Sequence, residues 1–309
     1  MMRGHARFTS FFVLLAGISL IAVLAIGGCG KAGREGESAS GEESQGAEAL
    51  VGDALFQEVV NAMQGEISYR ISAELDLQFQ IPSASLGKTG QPYIAAPAAV
   101  PYEAFHLSKA GKSGSKAILK VDQMAVDEGV PPALLPGEMG NVFYLISGTY
   151  YWEDPSGWHA EPYDPVGSLP NLNLRGLMPE DVMNWLVYAE SAEAVEEKDN
   201  AVGYQVTLGE KYLKGLKEQA QKSLSGDHLS KAIHNLKVVE KLLPAMGLFV
   251  VVDKDAKRIT EVQFAYGGHF SDVFVDLPED SPFKEMGFFY SSFMIYDSYG
   301  SQFDIQPPI

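Results

Sequence analysis

Residues 67–80 read ISYRISAELDLQFQ. Ile67, Tyr69, Ile71, Ala73, Leu75, Leu77 and Phe79 alternate without a break against Ser68, Arg70, Ser72, Glu74, Asp76, Gln78 and Gln80. A period of two places successive side chains on opposite faces of a strand, and fourteen such residues span roughly 45 Å. One face is apolar and the other wet, which is the pattern of an antiparallel sheet covered on one side only.

Downstream, strands are predicted near 102–109, 116–126 and 142–147, with a hairpin of 149–152 and 158–161 turning at Asp154-Pro155-Ser156-Gly157. A helix starts near Pro179, and a second hairpin fits 192–198 and 203–208. The last third offers strands at 248–253, 258–266, 269–277 and 287–296. So many short, hairpin-linked strands predict one large antiparallel sheet and exclude βαβ units. Two amphipathic helices interrupt it. Residues 211–224 align Leu213, Leu216, Ala220 and Leu224, and residues 228–243 align Leu229, Ala232, Ile233, Leu236, Val239 and Leu243, with Asp227 as the expected N-cap and Pro244 ending the run. The expected class is therefore α+β, mostly β: a curved antiparallel half-barrel with amphipathic helices on its concave side. Two proline-bearing stretches, 81–101 and 127–140, read as long loops.

Upstream, Asp53 caps a short helix carrying Phe56, Val59, Val60 and Met63, which Gly65 stops. Residues 30–50, GKAGREGESASGEESQGAEAL, have no apolar periodicity and read as a disordered acidic tether of roughly 25 Å reach. Before them, Arg3 and Arg7 precede the apolar run 11–26 and then Gly27-Gly28-Cys29. The run is shorter than the roughly 20 residues that span a bilayer. Ile26-Gly27-Gly28-Cys29 resembles the lipobox of bacterial lipoproteins, which implies cleavage after residue 28 and a diacylglyceryl group on Cys29; the alternative is an uncleaved membrane anchor. The organisation expected is a signal peptide at 1–28, a lipidated Cys29 and linker at 29–52, and one domain at 53–309. Cys29 is the single cysteine, so no internal disulfide can form.

Removing the leader's two arginines leaves 21 basic against 40 acidic residues, a net charge of −19. That surface repels phosphate backbones, so nucleic-acid binding is not expected. The six histidines, His5, His106, His159, His228, His234 and His269, show no metal spacing, and the last five read as surface or cap residues. Gly-Lys-Thr at 87–89 and Gly-Lys-Ser at 111–113 lack the upstream glycine of a phosphate-binding loop, Asp253-Lys254-Asp255 lacks the glycine of a calcium loop, and no G-x-S-x-G elbow occurs. No cofactor, metal or catalytic residue is expected, and the chain is expected to be a non-enzymatic monomer.

The apolar strands supply the candidate ligand residues: Tyr69, Ile71, Leu75, Leu77 and Phe79 on the long strand, Val262, Phe264 and Tyr266 on another, and Phe289 and Phe293 on the last. Between Glu210 and Lys241, seven lysines face four acids, so Lys214 and Lys217 are candidates to meet anionic headgroups. The order of lipobox, acidic linker, short helix, long alternating strand, hairpins, helical interruption and closing strands resembles the LolA-like superfamily of bacterial lipoproteins (LolA, LolB, LppX and LprG types). The ending Tyr296-Asp297-Ser298-Tyr299-Gly300 to Phe303-Asp304-Ile305-Gln306-Pro307 is similar to one common among its Gram-positive members. The resemblance covers roughly 53–307 and implies a half-barrel plugged by helices and a bound acyl chain. It brings no catalytic residues, and the insertion at 81–101 and the longer helical segment depart from it. Three functions follow, in this order: a lipid-anchored extracytoplasmic carrier of an apolar ligand (a lipid or lipoprotein acyl chain), a structural and interaction protein of the envelope whose sheet its own helices fill, and an unrecognised hydrolase.

Overall fold

The computed structural model describes residues 52–81, 93–109, 112–120, 142–167, 178–273 and 284–309. The leader, Cys29, the tether, the stretch 127–140 and residues 82–92 lie outside them. Leu50–Ile309 is one compact unit with its own hydrophobic core, which is what a chain segment needs to fold by itself.

Six strands come first: β1 (Ser68–Ile81), β2 (Tyr93–Lys109), β3 (Lys112–Leu119), β4 (Val142–Ile146), β5 (Thr149–Asp154) and β6 (Gly157–Pro162). Five follow: β7 (Ser191–Lys198), β8 (Ala201–Thr207), β9 (Gly247–Asp253), β10 (Arg258–His269) and β11 (Gly287–Asp297). Helix α1 (Ala54–Met63) precedes β1, and α2 (Pro179–Val187) joins the two groups of strands. Helices α3 (Glu210–Ser223) and α4 (Gly226–Leu242) lie between β8 and β9, and the short α5 (Phe270–Val273) follows β10. All eleven strands form one antiparallel sheet in the order β6-β5-β4-β3-β2-β1-β11-β10-β9-β8-β7. Two meanders are thus zipped together by the pairing of β1 with β11. The sheet does not close into a barrel; it is a half-barrel with the helices on its concave side.

Register follows from the alternation in β1. Ile71 stands opposite Tyr296 and Ala104, and Leu75 opposite Ser292 and Val100, so these residues share the concave face. Phe289, Phe293 and Ile295 have the other parity and belong to the convex face, where Phe289 and Ile295 are exposed. Several local readings are corrected. Strand β2 begins at Tyr93, not at 102, and so carries Pro97 and Pro101 inside a strand. Proline has no N–H for a ladder, and the pairing of β3 with β2 stops at Leu119 opposite Tyr102. Ser225, not Asp227, is the N-cap of α4. Residues 269–273 are the end of β10 followed by α5 rather than a strand, and 274–283 lie outside the described residues.

The closing sequence is a clasp on β1. Asp297 takes both Nε and Nη2 of Arg70, at 2.9 and 2.8 Å. Tyr299 Oη donates to the Ile259 carbonyl at 2.6 Å, and the Gly300 N–H donates to Ser68 O at 2.9 Å. Gly300 has φ of 77°, a backbone that glycine adopts at no steric cost.

Helix α2 presses on the C-terminal half of the sheet. Its Trp185 is 1% exposed and stacks on Phe264 of β10, with ring centroids 4.3 Å apart. Tyr212 and Leu216 of α3 and Val239 and Leu242 of α4 are buried in the same cluster. Leu242 lies over Gly268, where a Cβ would meet its Cδ2 at 3.0 Å.

Candidate functional site

The other half of the concave face is not filled in this way. Tyr69 of β1, His106 of β2, Ser115 of β3 and Leu145 of β4 form one row across the strands, because each stands opposite the next. Over this row lies a cleft of about 660 Å³. Its floor includes His106 and Leu145, and its walls come from three helices: Met63 at the end of α1, Glu180, Met183 and Asn184 of α2, and Gln219 and Lys222 of α3. Tyr163 and Pro165, after β6, close another side. The volume falls within the range of small-molecule sites, roughly 300–1,000 Å³.

A hydrogen-bonded chain crosses the floor. Ser115 Oγ donates to Glu180 Oε1 at 2.6 Å. A hydroxyl has one proton, so the 2.9 Å contact of Ser115 Oγ with His106 Nδ1 is a bond donated by the imidazole N–H. His106 Nδ1 also lies 3.4 Å from Glu180 Oε1. Ser115 is fully buried, and its hydroxyl is committed to the Glu180 carboxylate. It holds the Glu180 carboxylate in place. The imidazole is held in turn by stacking on Tyr69, with ring centroids 4.9 Å apart.

Glu180 and Asp181 fall in the first turn of α2, where the positive end of the helix dipole favours acidic side chains. Asp181 Oδ2 accepts from the Met178 N–H at 2.9 Å, and Oδ1 accepts from Tyr163 Oη. Burial, and then the nearby Asp181 charge, push the Tyr163 hydroxyl well above its ordinary range. Burial does the same to Tyr69, with smaller contributions from Tyr296 and Glu180. Both phenols therefore stay protonated at neutral pH, and Tyr69 Oη is itself buried without a hydrogen-bond partner among the described residues. One turn along α2, Asn184 Oδ1 accepts from Gln219 Nε2 at 3.0 Å. Glu180 Oε2 and Gln219 Oε1 are buried, and no donor among the described residues reaches either.

Of the sequence-predicted ligand residues, Tyr69 lies in the row beneath the cleft and the others sit elsewhere. Tyr69, Ile71, Leu75, Phe79, Val262, Phe264 and Tyr266 are all on the concave face at 0–3% exposure, inside the core cluster. Leu77 stands opposite Tyr290 in the ladder, and its side chain lies outside the described residues. Phe289 and Phe293 are on the convex face, apart from the others. Phe79 and Phe289 border a separate cleft of about 360 Å³ at the ends of β1, β10 and β11. Lys214 and Lys217 are exposed on α3, and Cys29 lies outside the described residues. His106, read as a surface or cap residue, is 8% exposed and central to the cleft. Glu180, Asn184 and Gln219 carry no sequence signal, since only the docking of α2 and α3 brings them to the β2–β3 row. Compared with known proteins, the chain matches no family model and no curated relative.

Proposed function

We propose that the chain is a lipid-anchored extracytoplasmic binding protein of the LolA-like kind, tethered through Cys29 and taking an amphiphilic ligand with an apolar chain. The observation that carries this reading is the 660 Å³ cleft on the concave side, with Met63, Leu145, Pro165 and Met183 as apolar walls around a small polar cluster. Pockets of that make-up hold a hydrophobic body and orient it by a few fixed polar groups. The ligand lies over β2–β4 and not along Phe264, which Trp185 covers. That coverage also supports a second reading: the C-terminal half, filled by its own helices, is a rigid frame through which the protein meets envelope partners.

The binding reading is tested by native mass spectrometry with solvent extraction on Leu50–Ile309. Adducts that extract as acyl amphiphiles and disappear in Met183→Trp, which fills the cleft, support it. A clean apo mass, together with no uptake of a fluorescent fatty acid or fatty amine, refutes it and favours the frame. The anchor is tested separately in the full chain. Cys29→Ser abolishes incorporation of labelled palmitate and moves the protein out of the membrane fraction; unchanged labelling refutes the assignment. Charge reversal of Lys214 and Lys217 weakens association with anionic liposomes if α3 faces the membrane.

A further inference from the structure

We infer that Phe289, Phe293 and Ile295 form a docking ridge on the convex face of β11, and that its occupant is a basic amphipathic helix of a partner protein. The ridge lies on the opposite face of the sheet from the cleft and does not depend on how that cleft is read. Phe289 is 37% exposed and Ile295 45%, two of the four exposed large apolar side chains among the described residues. They share one parity of β11 with the half-buried Phe293. Six residues of strand separate the ends of the ridge, roughly 20 Å. The chain's own tail covers a different part of this face. After Gly300, which bonds to Ser68 of β1, Phe303 packs on Phe105 of β2 with ring centroids 5.3 Å apart, and Ile305 lies over Gly114 of β3.

The charge on either side decides the occupant. Phe293 stands between Glu74 of β1 and Gln263 of β10, and Ile295 between Ser72 and Glu261. Asp76 follows on β1, opposite Ser291. Carboxylates therefore lie on both flanks of the ridge, one strand away, at about 5 Å spacing. Burial pushes the Asp76 and Glu261 carboxyls above their ordinary range, with Glu74 adding to the effect on Asp76, and no cation among the described residues offsets either. Arg70 and Lys120 are engaged by Asp297 and Glu103. The same face of a second copy would bring carboxylate against carboxylate, and an anionic bilayer is repelled in the same way. The basic helices α3 and α4 of a second copy already bury their apolar stripes in their own core. The chain's own segments 121–141 and 274–283 contain acids and no lysine or arginine. What fits is a row of apolar anchors bordered on both sides by lysine or arginine. An extended strand sets its apolar and basic residues on opposite faces, so its basic groups point away once the apolar face docks. A helix carries basic residues along both borders of its apolar stripe, and about 13 residues of helix match the length of the ridge.

The test is fluorescence anisotropy of labelled synthetic peptides, about fourteen residues long, with Leu50–Ile309, after circular dichroism has confirmed cooperative unfolding of this body. One peptide sets leucine and lysine at helical spacing, a second sets the same residues at a period of two, and a third has glutamate for lysine in the helical pattern. Equal charge on the first two cancels their general attraction to an acidic chain. The expected result is saturable one-to-one binding of the first, at least tenfold tighter than the second, and no binding of the third. Phe289→Ser with Ile295→Ser should erase that preference. Glu74→Gln with Glu261→Gln should weaken the first peptide at least threefold, and this pair carries the test should the serine pair not fold. Met183→Trp, which fills the cleft, should change nothing. Equal affinity for the two Leu/Lys peptides, a preference that survives the serine pair, unchanged affinity in the glutamine pair, or binding lost in Met183→Trp overturns the inference. Sedimentation of the body alone should give a monomer; a dimer that the serine pair dissolves would place a second copy on the ridge and overturn it as well.

Discussion

Trp185→Ala is the perturbation that best separates a filled concave face from an open one. Trp185 is 1% exposed, sits on α2 and stacks on Phe264 at 4.3 Å and 29°. Truncating a buried tryptophan costs about 3–5 kcal/mol, from lost transfer energy plus the void left behind. The stack itself contributes about 0.5–1.5 kcal/mol of that total. A domain of this size shifts its Tm by roughly 2–4 °C per kcal/mol, so a fall of about 6–20 °C is expected. Urea unfolding followed by far-UV circular dichroism is the assay, because fluorescence would change with the loss of one of three tryptophans. A double-mutant cycle with Phe264→Ala should return a coupling near that of the aromatic pair, about 0.5–1.5 kcal/mol. A cost below about 1 kcal/mol, with no coupling, would refute the reasoning. Phe264 would then line an accessible void, and the apolar ligand could lie along β10 after all.

Three further outcomes are expected. Gly215→Ala, which in an exposed helix interior gains about 1 kcal/mol, should instead destabilise by about 1–2 kcal/mol, because the new Cβ falls 2.3 Å from Cδ1 of Tyr188; in a Tyr188→Ala background the sign should reverse, and urea melts of the four proteins decide it. The Asp154 carboxyl should titrate at about 2, held down first by the Ser156 hydroxyl and then by His159, and Ser156→Ala should move its midpoint towards 3.8 by NMR. Because this folded-state value lies below the unfolded one near 3.9, the turn's contribution is present above pH 4 and is lost as pH falls through 2, so a midpoint near 4 in the folded protein would contradict it. The Asp297 carboxyl is likewise lowered, chiefly by the Arg70 hydrogen bond. Asp297→Asn should therefore cost stability above the unfolded carboxylate value near 3.9, and the cost should shrink as pH falls below it; since both side chains are over a third exposed the loss should stay near or below 1 kcal/mol.

What the sequence made legible was whatever depends on local period. The alternation of β1 is recovered as fourteen residues, Ser68–Ile81, and the helices 211–224 and 228–243 return as α3 and α4 within one or two residues. The Asp53 cap is real, its carboxylate accepting from the Phe56 N–H at 2.9 Å. What depends on which face meets which neighbour was not legible. The closing strand is apolar at both parities, so Phe288 and Tyr290 could not be told from Phe289 and Phe293 until Phe79 and Leu77 in the ladder assigned them. The strand around His106 has Phe105 and Leu107 on one parity and Tyr102 and Ala104 on the other, and that tie hid a buried histidine. The two donorless acceptors come from helices almost 40 residues apart in the chain, and no spacing rule joins Glu180 to Gln219.

The zip between the two meanders bears on how this chain is made. Strand β1 has β2 beside it almost at once, but its other flank is completed only by β11, which begins 206 residues after Ile81. With the N-terminus emerging first, that flank stays open until β11 has followed. During the wait, fourteen residues of alternating strand present open N–H and C=O groups above an apolar face, the arrangement most prone to pairing with another copy of itself. The acids and glutamines on the wet face of β1, Glu74, Asp76, Gln78 and Gln80, limit such pairing. The clasp of Asp297 on Arg70 and of Gly300 on Ser68 forms last and ends the exposure. Truncation before residue 287 should therefore yield aggregates rather than a smaller folded protein.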